Sequence, residues 1–354
     1  MSEMDTIQMV DADGNVVDEK AVKSVSDELI HKMYRLMVFT RAWNAKALSL
    51  QRQGRLGTLA SVRGQEAANV GMGMALEKGD WFCPAFREYG AQFARGVKPG
   101  VLYTYWGGDE RGMKPPEDAC ILPICITVVS HLCHAAGIAF AAKARGEKVA
   151  VLSSSGDGST SEGDFHESLN FAGVYKLPVV FAIQNNHWAI SVPVEHQTAT
   201  KTIAEKACAY GIGGYRVDGN DVFAVYLTVK RLLNEARSEY KPSLVELVTY
   251  RMDDHTTSDD ASRYSTEEML APWRARDPID RVRKYLVAKR GWDEQKDADL
   301  IAGCTEEVEQ LVRYYEASPP PDPADMFNYQ YFEEPWHLKE EREEVIRLLG
   351  ESKR

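Results

Sequence analysis

The sequence has few of the features that mark secreted, membrane-bound or disulfide-rich proteins. Its six cysteines include no CxxC pair, and most lie in apolar segments such as ILPICITVV, which argues against a disulfide framework or a zinc site. No apolar run approaches the roughly 20 residues that a membrane-spanning helix needs. The N-terminal segment is acidic and lacks the apolar core of a secretory signal. We therefore expect a cytoplasmic protein.

An excess of basic residues is also missing. The chain has 42 Lys and Arg against 53 Asp and Glu, a formal net charge of −11. This balance argues against nucleic acid or an anionic membrane as the main partner. An anionic ligand would need local help from a metal ion or from a few well-placed cations. The length of 354 residues and the 44% of hydrophobic residues allow a large core.

The pattern along the chain suggests three regions. Residues 1–26 are polar and irregular, and we interpret them as an N-terminal arm. Residues 27–265 hold the strand and helix patterns of one α/β domain. Within this domain, residues 103–117 are rich in Gly, Pro and charge and predict an exposed loop. Residues 266–354 are charged and mostly helical, which suggests a C-terminal extension.

Three short apolar segments are candidates for buried strands. Residues 148–155 and 177–184 are separated by a helix-like segment, and residues 243–251 follow another helix near 223–238. Strand, crossover helix and strand in this order predict parallel pairing. The alternation predicts an α/β fold, mostly a parallel sheet with helices on both faces.

Polar motifs directly follow the first two predicted strands. Gly156-Asp157-Gly158 comes after the first strand, and Asn185-Asn186 comes after the second. Ligands of parallel sheets bind at the carboxyl ends of strands, where Asp and Asn oxygens can share one Mg²⁺ ion. Flanking glycines let phosphate approach the backbone. Each motif alone is best explained as a turn, but the two together predict a magnesium diphosphate site.

The segment GDGSTSEGDFHESLNFAGVYKLPVVFAIQNNHWAIS resembles the thiamine-diphosphate signature of the alpha subunits of 2-oxoacid dehydrogenase complexes. Further segments match in order over about residues 28–290: QRQGRLGTLASVRGQEAANVG, FREYGAQFARG, YWGGDERG, TATKTIAEKACAYGIGGYRVDGNDVFAVY and DHTTSDDASRY. The YWGGDERG and DHTTSDD versions are most similar to bacterial pyruvate dehydrogenases, and PWHL is similar to some branched-chain members. The resemblance implies the thiamine-diphosphate-binding fold.

The resemblance also implies roles for particular residues at the diphosphate end of the cofactor. By position, Asp157 and Asn186 provide the side-chain ligands of Mg²⁺, and Trp188 provides a backbone carbonyl. Gly158 and Ser159 would lie against the diphosphate.

Further roles follow from the same resemblance. Arg87 matches the family's phosphate-binding arginine, beside Phe86 where many members have Tyr. The backbone of Ile126 and Val128 occupies the place that binds the aminopyrimidine. His255 matches the active-site histidine, which lies by the diphosphate and assists transfer to the lipoyl group.

Two residues depart from the family pattern. His131 stands where the family usually has Gln, and Val129 stands where many members have Gly. His131 and His134 share a helix face, but their apolar setting favours a packed, hydrogen-bonded imidazole over a metal site. We assign no chemistry to His166 and His187.

In the histidine segment, residues 251–264, Asp254, Asp259 and Asp260 add negative charge close to a negative cofactor. We expect cations to order this loop, and Arg251 and Arg263 are the candidates. In some relatives the loop is phosphorylated at the residue that matches Thr256.

The activity implied is oxidative decarboxylation of a 2-oxoacid, most similar to that of pyruvate dehydrogenase. The acyl group passes to a lipoyl group on the dihydrolipoyl acyltransferase core. In this family a separate beta subunit supplies the glutamate that activates the cofactor, and the present chain has length for one cofactor-binding half only. We therefore expect an α₂β₂ heterotetramer in which this chain is inactive alone.

Several alternatives stay open at this point. A nicotinamide-dependent oxidoreductase needs a G-x-G-x-x-G turn after a strand, and the glycines at 211–214 have the wrong spacing. A non-catalytic scaffold subunit would be favoured by loss of Asp157, Asn186 or Arg87, yet all three are present. Within the family, a branched-chain 2-oxoacid or acetoin dehydrogenase is the alternative to pyruvate dehydrogenase.

Overall fold

The computed structural model describes residues 5–351, and the first four residues of the predicted arm lie outside this range. At its centre is a sheet of five parallel strands in the order β1-β2-β3-β7-β6. A two-stranded antiparallel ribbon, β4-β5, lies apart from it. The strands of both are β1 (Trp81–Cys83), β2 (Val151–Gly156), β3 (Val179–Asn185), β4 (Trp188–Ala189), β5 (Val192–Pro193), β6 (Gly213–Asp218) and β7 (Ser243–Val248).

Helices surround the sheet, and their order confirms the predicted alternation. From the N-terminus to the end of the α/β region they are α1 (Glu19–Lys23), α2 (Asp27–Arg52), α3 (Glu66–Ala75), α4 (Tyr89–Ala94), α5 (Pro99–Trp106), α6 (Ser130–Ala144), α7 (Gly163–Tyr175) and α8 (Val222–Glu239). The described regular elements beyond residue 266 are all helices: α9 (Glu267–Arg274), α10 (Pro278–Arg290), α11 (Glu294–Glu316), α12 (Asp325–Asn328) and α13 (Trp336–Glu351).

The central strand β3 explains why the sheet needs layers on both faces. All seven of its residues are buried, as expected for a strand in a covered parallel sheet. Its alternate side chains point to opposite faces. Phe181 and Ile183 join a core with Leu132 of α6 and Phe165 of α7, whereas Gln184 bonds to α3 on the other face. The predicted α/β fold is thereby confirmed.

Two local predictions needed correction. The loop predicted for residues 103–117 is wrong at its start, because α5 continues to Trp106 and buries Tyr103. Two strands of the central sheet, β1 and β6, were not predicted, and neither was the β4-β5 ribbon. Of the glycines tested as a nucleotide motif, Gly213 and Gly214 begin β6, where a Cβ on Gly214 would lie 2.4 Å from the carbonyl oxygen of Ala204. Close packing therefore accounts for that glycine.

The N-terminal arm is attached to the edge of the sheet. The amide of Ile7 donates to the carbonyl of Arg216 at 2.9 Å, and the amide of Asp218 donates to Ile7 at 3.0 Å. Asp221 caps α8 and also accepts from the amides of Met9 and Val10 at 2.6 and 2.8 Å. One buried carboxylate thus holds both a helix start and the arm.

The chain divides into two compact units, with the boundary between Val312 and Arg313. The first unit includes most of α11, whose Glu309 pairs with Lys46 of α2 at 2.6 Å. In the second unit, Arg342 pairs with Glu334 at 2.8 Å, and its guanidinium lies 5.9 Å from the centre of the Phe327 ring. The sequence-based domain boundaries at 26/27 and 265/266 stay predictions. No helix in residues 5–351 is long and apolar enough to cross a membrane.

Candidate active site

The two motifs that the sequence singled out lie side by side. Strands β2 and β3 pair in parallel, with Gly156 opposite Gln184, so both motifs leave the same edge of the sheet. The amide of Asn186 donates to Oδ1 of Asp157 at 3.2 Å, across 29 residues of sequence. Both side chains are buried. The structure therefore brings together a carboxylate and an amide at the place where parallel sheets bind ligands.

The surroundings of Asp157 fit a cation. Its carboxylate accepts from the amide of Asn186 and from Nε2 of Gln197 at 3.3 Å. Burial raises the pKa of Asp157 to about 6, against the lowering effect of these hydrogen bonds and of Arg251. A buried carboxylate without an ion-pair partner is stabilised by a bound cation.

The donor set around Asp157 suits Mg²⁺ better than a softer metal. Among the described residues no group of three or more His, Cys, Asp or Glu side chains is placed to hold a metal. A site here would use one carboxylate, one amide oxygen, one backbone carbonyl and oxygens of the ligand. Mg²⁺ is commonly held in this way, through few protein carboxylates and through substrate phosphates. Asp157, Asn186 and Trp188 stay the predicted ligands.

The glycine turn after β2 has room for a ligand and one tight contact. A Cβ on Gly156 would meet nothing within 4 Å, so the backbone there faces open space. A Cβ on Gly158 would lie 2.7 Å from that of Ala189, and the turn therefore needs glycine to pack against β4. Ser159 donates from Oγ to the carbonyl of Gly156 at 2.5 Å, which closes the turn.

The loop that follows Asn186 has a strained backbone. His187 and Ile190 both have left-handed φ angles, 71° and 55°, which cost about 1–3 kcal/mol each for residues other than glycine. The amide of Trp188 donates to Oδ1 of Asn186 at 3.2 Å. The ring of His187 lies 5.6 Å from that of Tyr250 and 5.2 Å from that of Trp273. This packing holds the turn, and His187 therefore has a structural role.

Arg87 and His255 meet at the side of the site. The guanidinium of Arg87 donates to the carbonyl of His255 at 3.0 Å and lies 3.3 Å from its Nδ1, and it also donates to the carbonyl of Ser61. The Phe86 ring stands edge-on to the imidazole, with 6.1 Å between ring centres. The sequence-predicted residues Phe86, Arg87 and His255 are thus brought together.

A second arginine, Arg251, orders the histidine loop. Its Nη1 lies 3.4 Å from Nδ1 of His255, and its Nη2 donates to the carbonyl of Ile190 at 2.7 Å and to the hydroxyl of Tyr264 at 2.5 Å. Asp259 accepts from the backbone amide of His255 at 2.8 Å and from Tyr264. Arg251 therefore has the ordering role expected of it, whereas the other candidate, Arg263, is exposed.

The imidazole of His255 is neutral in this setting. Burial, followed by the positive charges of Arg87 and Arg251, lowers the pKa of His255 from 6.5 to about 3. A neutral imidazole has one N–H donor and one acceptor nitrogen, so it can donate to a phosphate oxygen and take up a proton.

The His255→Gln variant should show a flatter dependence of stability on pH. Between pH 6.5 and 3 the unfolded chain binds a proton at this residue and the folded chain does not, so the wild-type protein loses stability as the pH falls. Glutamine removes this contribution. We expect the free energy of unfolding to shift in favour of the variant by ~1–2 kcal/mol between pH 7.5 and pH 5. Urea titrations of the cofactor-free proteins measure this, and parallel curves would contradict the half-buried, neutral imidazole.

The segment before α6 contains the predicted aminopyrimidine contacts. Ile126 and Val128 are about half exposed, 52% and 51%, although both are apolar. Val129 has a φ of 70°, a left-handed conformation that a β-branched residue adopts only under strain. That conformation gives a physical reason for glycine at this position in other members of the family. His131 is buried, and its Nε2 lies 2.8 Å from the carbonyl of Ser154, so the packed imidazole is confirmed. Its neighbour His134 is exposed.

The sequence did not reveal two glutamines of the site. Gln197 binds Asp157, and Gln65 accepts at Oε1 from Nδ2 of Asn186 at 3.2 Å. Both come from segments distant in sequence from the residues they bind. No local pattern marks them, because a polar residue at the end of a helical segment is ordinary.

Comparisons with known proteins agree with the geometry. The family model described as "Dehydrogenase E1 component" matches residues 34–324. A pyruvate dehydrogenase E1 component subunit alpha from Acholeplasma laidlawii is 41% identical, over 96% of this chain and 99% of that protein. The Bacillus subtilis protein of the same name is 38% identical, over 96% and 91% of the two chains. The 3-methyl-2-oxobutanoate dehydrogenase subunit alpha of Mycobacterium tuberculosis is also 38% identical, over 97% and 94%.

Proposed function

The chain belongs to the dehydrogenase E1 component family, and from this membership we propose that it acts on pyruvate as the alpha subunit of an acetyl-transferring 2-oxoacid dehydrogenase. The observation that carries the proposal is the meeting of Asp157 and Asn186 at two adjacent strand ends. Arg87 and His255 lie together beside them. A chain that had kept only the fold would not need these four side chains in one place.

The family depends on thiamine diphosphate, and we assign the diphosphate end of this cofactor to the edge formed by β2 and β3. Thiamine diphosphate supplies the electron sink for loss of CO₂ from a 2-oxoacid. Asp157, Asn186 and the carbonyl of Trp188 would hold Mg²⁺, and Gly158 and Ser159 would contact the diphosphate. The backbone of Ile126 and Val128 would hold the aminopyrimidine.

The protein's own groups have three tasks in this proposal. Arg87 binds phosphate, for which its planar pair of donors is suited. Arg251 approaches the same ring nitrogen of His255, Nδ1, as Arg87 does, and it holds the imidazole in place. His255 is neutral, so it can donate to the diphosphate and then move a proton while the acyl group passes to the lipoyl group. The anionic diphosphate would also offset the repulsion between two guanidinium groups that face one imidazole ring.

We propose that the active site is completed by a beta subunit in an α₂β₂ heterotetramer. The acyl acceptor would be the lipoyl domain of a dihydrolipoyl acyltransferase core. The exposed apolar side chains of Ile126 and Val128 support this proposal, because a cofactor placed there has protein on one side only. The cytoplasmic location stays a prediction from the sequence.

The substrate is tested by steady-state kinetics of the reconstituted alpha and beta subunits. Relatives that act on pyruvate and on 3-methyl-2-oxobutanoate match this chain at similar identity. Two extra methyl groups on the acyl chain change binding in a shaped pocket by ~2–6 kcal/mol, or at least tenfold in kcat/KM. We expect kcat/KM to be at least tenfold higher for pyruvate. A preference for 3-methyl-2-oxobutanoate would instead assign the chain to the branched-chain enzymes.

A further inference from the structure

A chain of buried polar side chains connects the predicted metal ligand to the predicted phosphate-binding arginine. Nδ2 of Asn186 donates to Oε1 of Gln65 at 3.2 Å, and the carbonyl of Gln65 accepts from Nδ2 of Asn69 at 3.1 Å. Asn69 also donates to Oε1 of Gln184 at 2.9 Å, and Gln184 donates to Glu88 at 2.9 Å. The other carboxylate oxygen of Glu88 accepts from the backbone amide of Arg87 at 2.9 Å. All five side chains are buried.

The bond from Gln65 determines which end of the Asn186 amide is available as a ligand. A metal ion needs the Oδ1 end, because the Nδ2 end carries two hydrogens and has no lone pair to give. In the structure Oδ1 accepts from the amide of Trp188, and Nδ2 donates to Gln65. Turning the amide over would place Nδ2 against the Trp188 donor and Oδ1 against the acceptor on Gln65. Both neighbours therefore select the same orientation.

Gln65 is itself held in one orientation at a cost. Its Nε2 has no hydrogen-bond partner among the described residues, although the side chain is only 1% exposed. An unpaired buried donor is unfavourable, and turning the Gln65 amide over would not help, because the new donor would then face the donor of Asn186. The orientation of Gln65 is therefore imposed by its bond to the metal ligand.

We propose that Gln65 is a positioning residue, which binds no metal itself but fixes the Oδ1 end of the Asn186 amide toward Mg²⁺. The inference rests on the proposed function, since it deepens the same magnesium site. Groups that orient metal ligands in this way typically change metal affinity by ~10–100-fold when they are removed. Its effect should therefore appear in the affinity for the metal and not in the amount of folded protein.

The test is a calorimetric titration of Mg²⁺ into the metal-free complex of the full-length chain with its beta subunit, at saturating thiamine diphosphate. The Gln65→Leu variant should bind Mg²⁺ ~10–100-fold more weakly, with the same number of sites. The Gln65→Glu variant keeps an acceptor for Asn186 and should stay within about threefold of wild type. Gln92→Leu is the matched control, because Gln92 is also buried with an unpaired Nε2 but lies on α4. It should bind Mg²⁺ as the wild-type protein does.

A second background separates orientation from general packing. Asn186→Asp places two equivalent oxygens at the ligand position, so that no partner is needed to select between them. Adding Gln65→Leu to this variant should then change Mg²⁺ affinity by less than about threefold. If Gln65→Leu acted by damaging the packing, it would lower Mg²⁺ affinity by the same factor in the wild-type and the Asn186→Asp protein. Equal losses in the two backgrounds, or wild-type affinity in Gln65→Leu, would overturn the role of Gln65. Unchanged Mg²⁺ affinity in Asp157→Ala would instead overturn the metal site and the proposed function with it.

Discussion

The Asp157→Ala variant is expected to lose Mg²⁺-dependent binding of thiamine diphosphate. Asp157 is the carboxylate that meets Asn186 at the strand ends, and no cluster of other metal-binding side chains among the described residues can replace it. Removing a charged residue that binds the metal directly should lower metal affinity by more than the ~10–100-fold typical of a residue that only orients a ligand. We therefore expect the cofactor Kd to rise by ~10³-fold or more, measured by calorimetry at a fixed Mg²⁺ concentration that saturates the wild-type protein.

A matched buried acid controls for loss of stability. Burial raises the pKa of Asp221 to about 6, as it does for Asp157, but Asp221 caps α8 and holds the N-terminal arm at the far strand of the sheet. Asp221→Asn should lower the free energy of unfolding by ~1–3 kcal/mol and leave cofactor affinity unchanged. Wild-type cofactor affinity in Asp157→Ala, or an equal loss in Asp221→Asn, would contradict the metal assignment.

The chain purified without a beta subunit is expected to release no CO₂ from any 2-oxoacid. Activation of the cofactor needs a carboxyl group beside the aminopyrimidine, which we place at Ile126 and Val128. A buried candidate in the cofactor-binding segments is Glu88, whose pKa burial raises to about 7. Its two oxygens are already bound by Ser154, Gln184 and the amide of Arg87. Glu88 is therefore committed to holding the fold beneath the site.

Release of CO₂ from carboxyl-labelled pyruvate measures whether decarboxylation needs the beta subunit. With an artificial electron acceptor, which removes the need for the lipoyl domain, activity should appear only when the beta subunit is added. We expect a difference of at least ~10⁴-fold, because general acid–base catalysis and the closed, water-excluding site are lost together. The purified chain should still be folded, as shown by circular dichroism. Turnover above background by the alpha chain alone would refute the shared active site.

The part of the fold predicted from the sequence depends on continuous apolar segments. Strands β2, β3 and β7 are buried over most of their length and were recognised as apolar runs. The two strands of the central sheet that were missed have no such run. Strand β1 has three residues, and β6 begins with two glycines and has only one fully buried residue. These strands form because neighbouring strands offer them free hydrogen-bonding edges. Their formation therefore depends on tertiary contacts that the local sequence does not show.

The candidate site shows the same division. Asp157 and Asn186 were found because each directly follows a recognisable strand, and parallel strand ends meet at one edge. Gln65, Gln197 and the contact of Arg251 with His255 depend on segments that approach from elsewhere in the chain. The left-handed backbone at Val129 also has no local signal, since the side chain there is β-branched.

The buried polar chain from Asn186 to Glu88 has a consequence for protein engineering. The segment 151–188 contains both motifs and would be the natural piece to graft onto another parallel sheet. A graft of that segment alone would leave behind Gln65, Asn69 and Glu88, which belong to α3 and the residues around α4. The transplanted Asn186 would then be held in its orientation by the Trp188 amide alone, and Oε1 of Gln184 would lose the donor that Asn69 provides. A working transplant therefore has to carry three separate stretches of this chain as one unit.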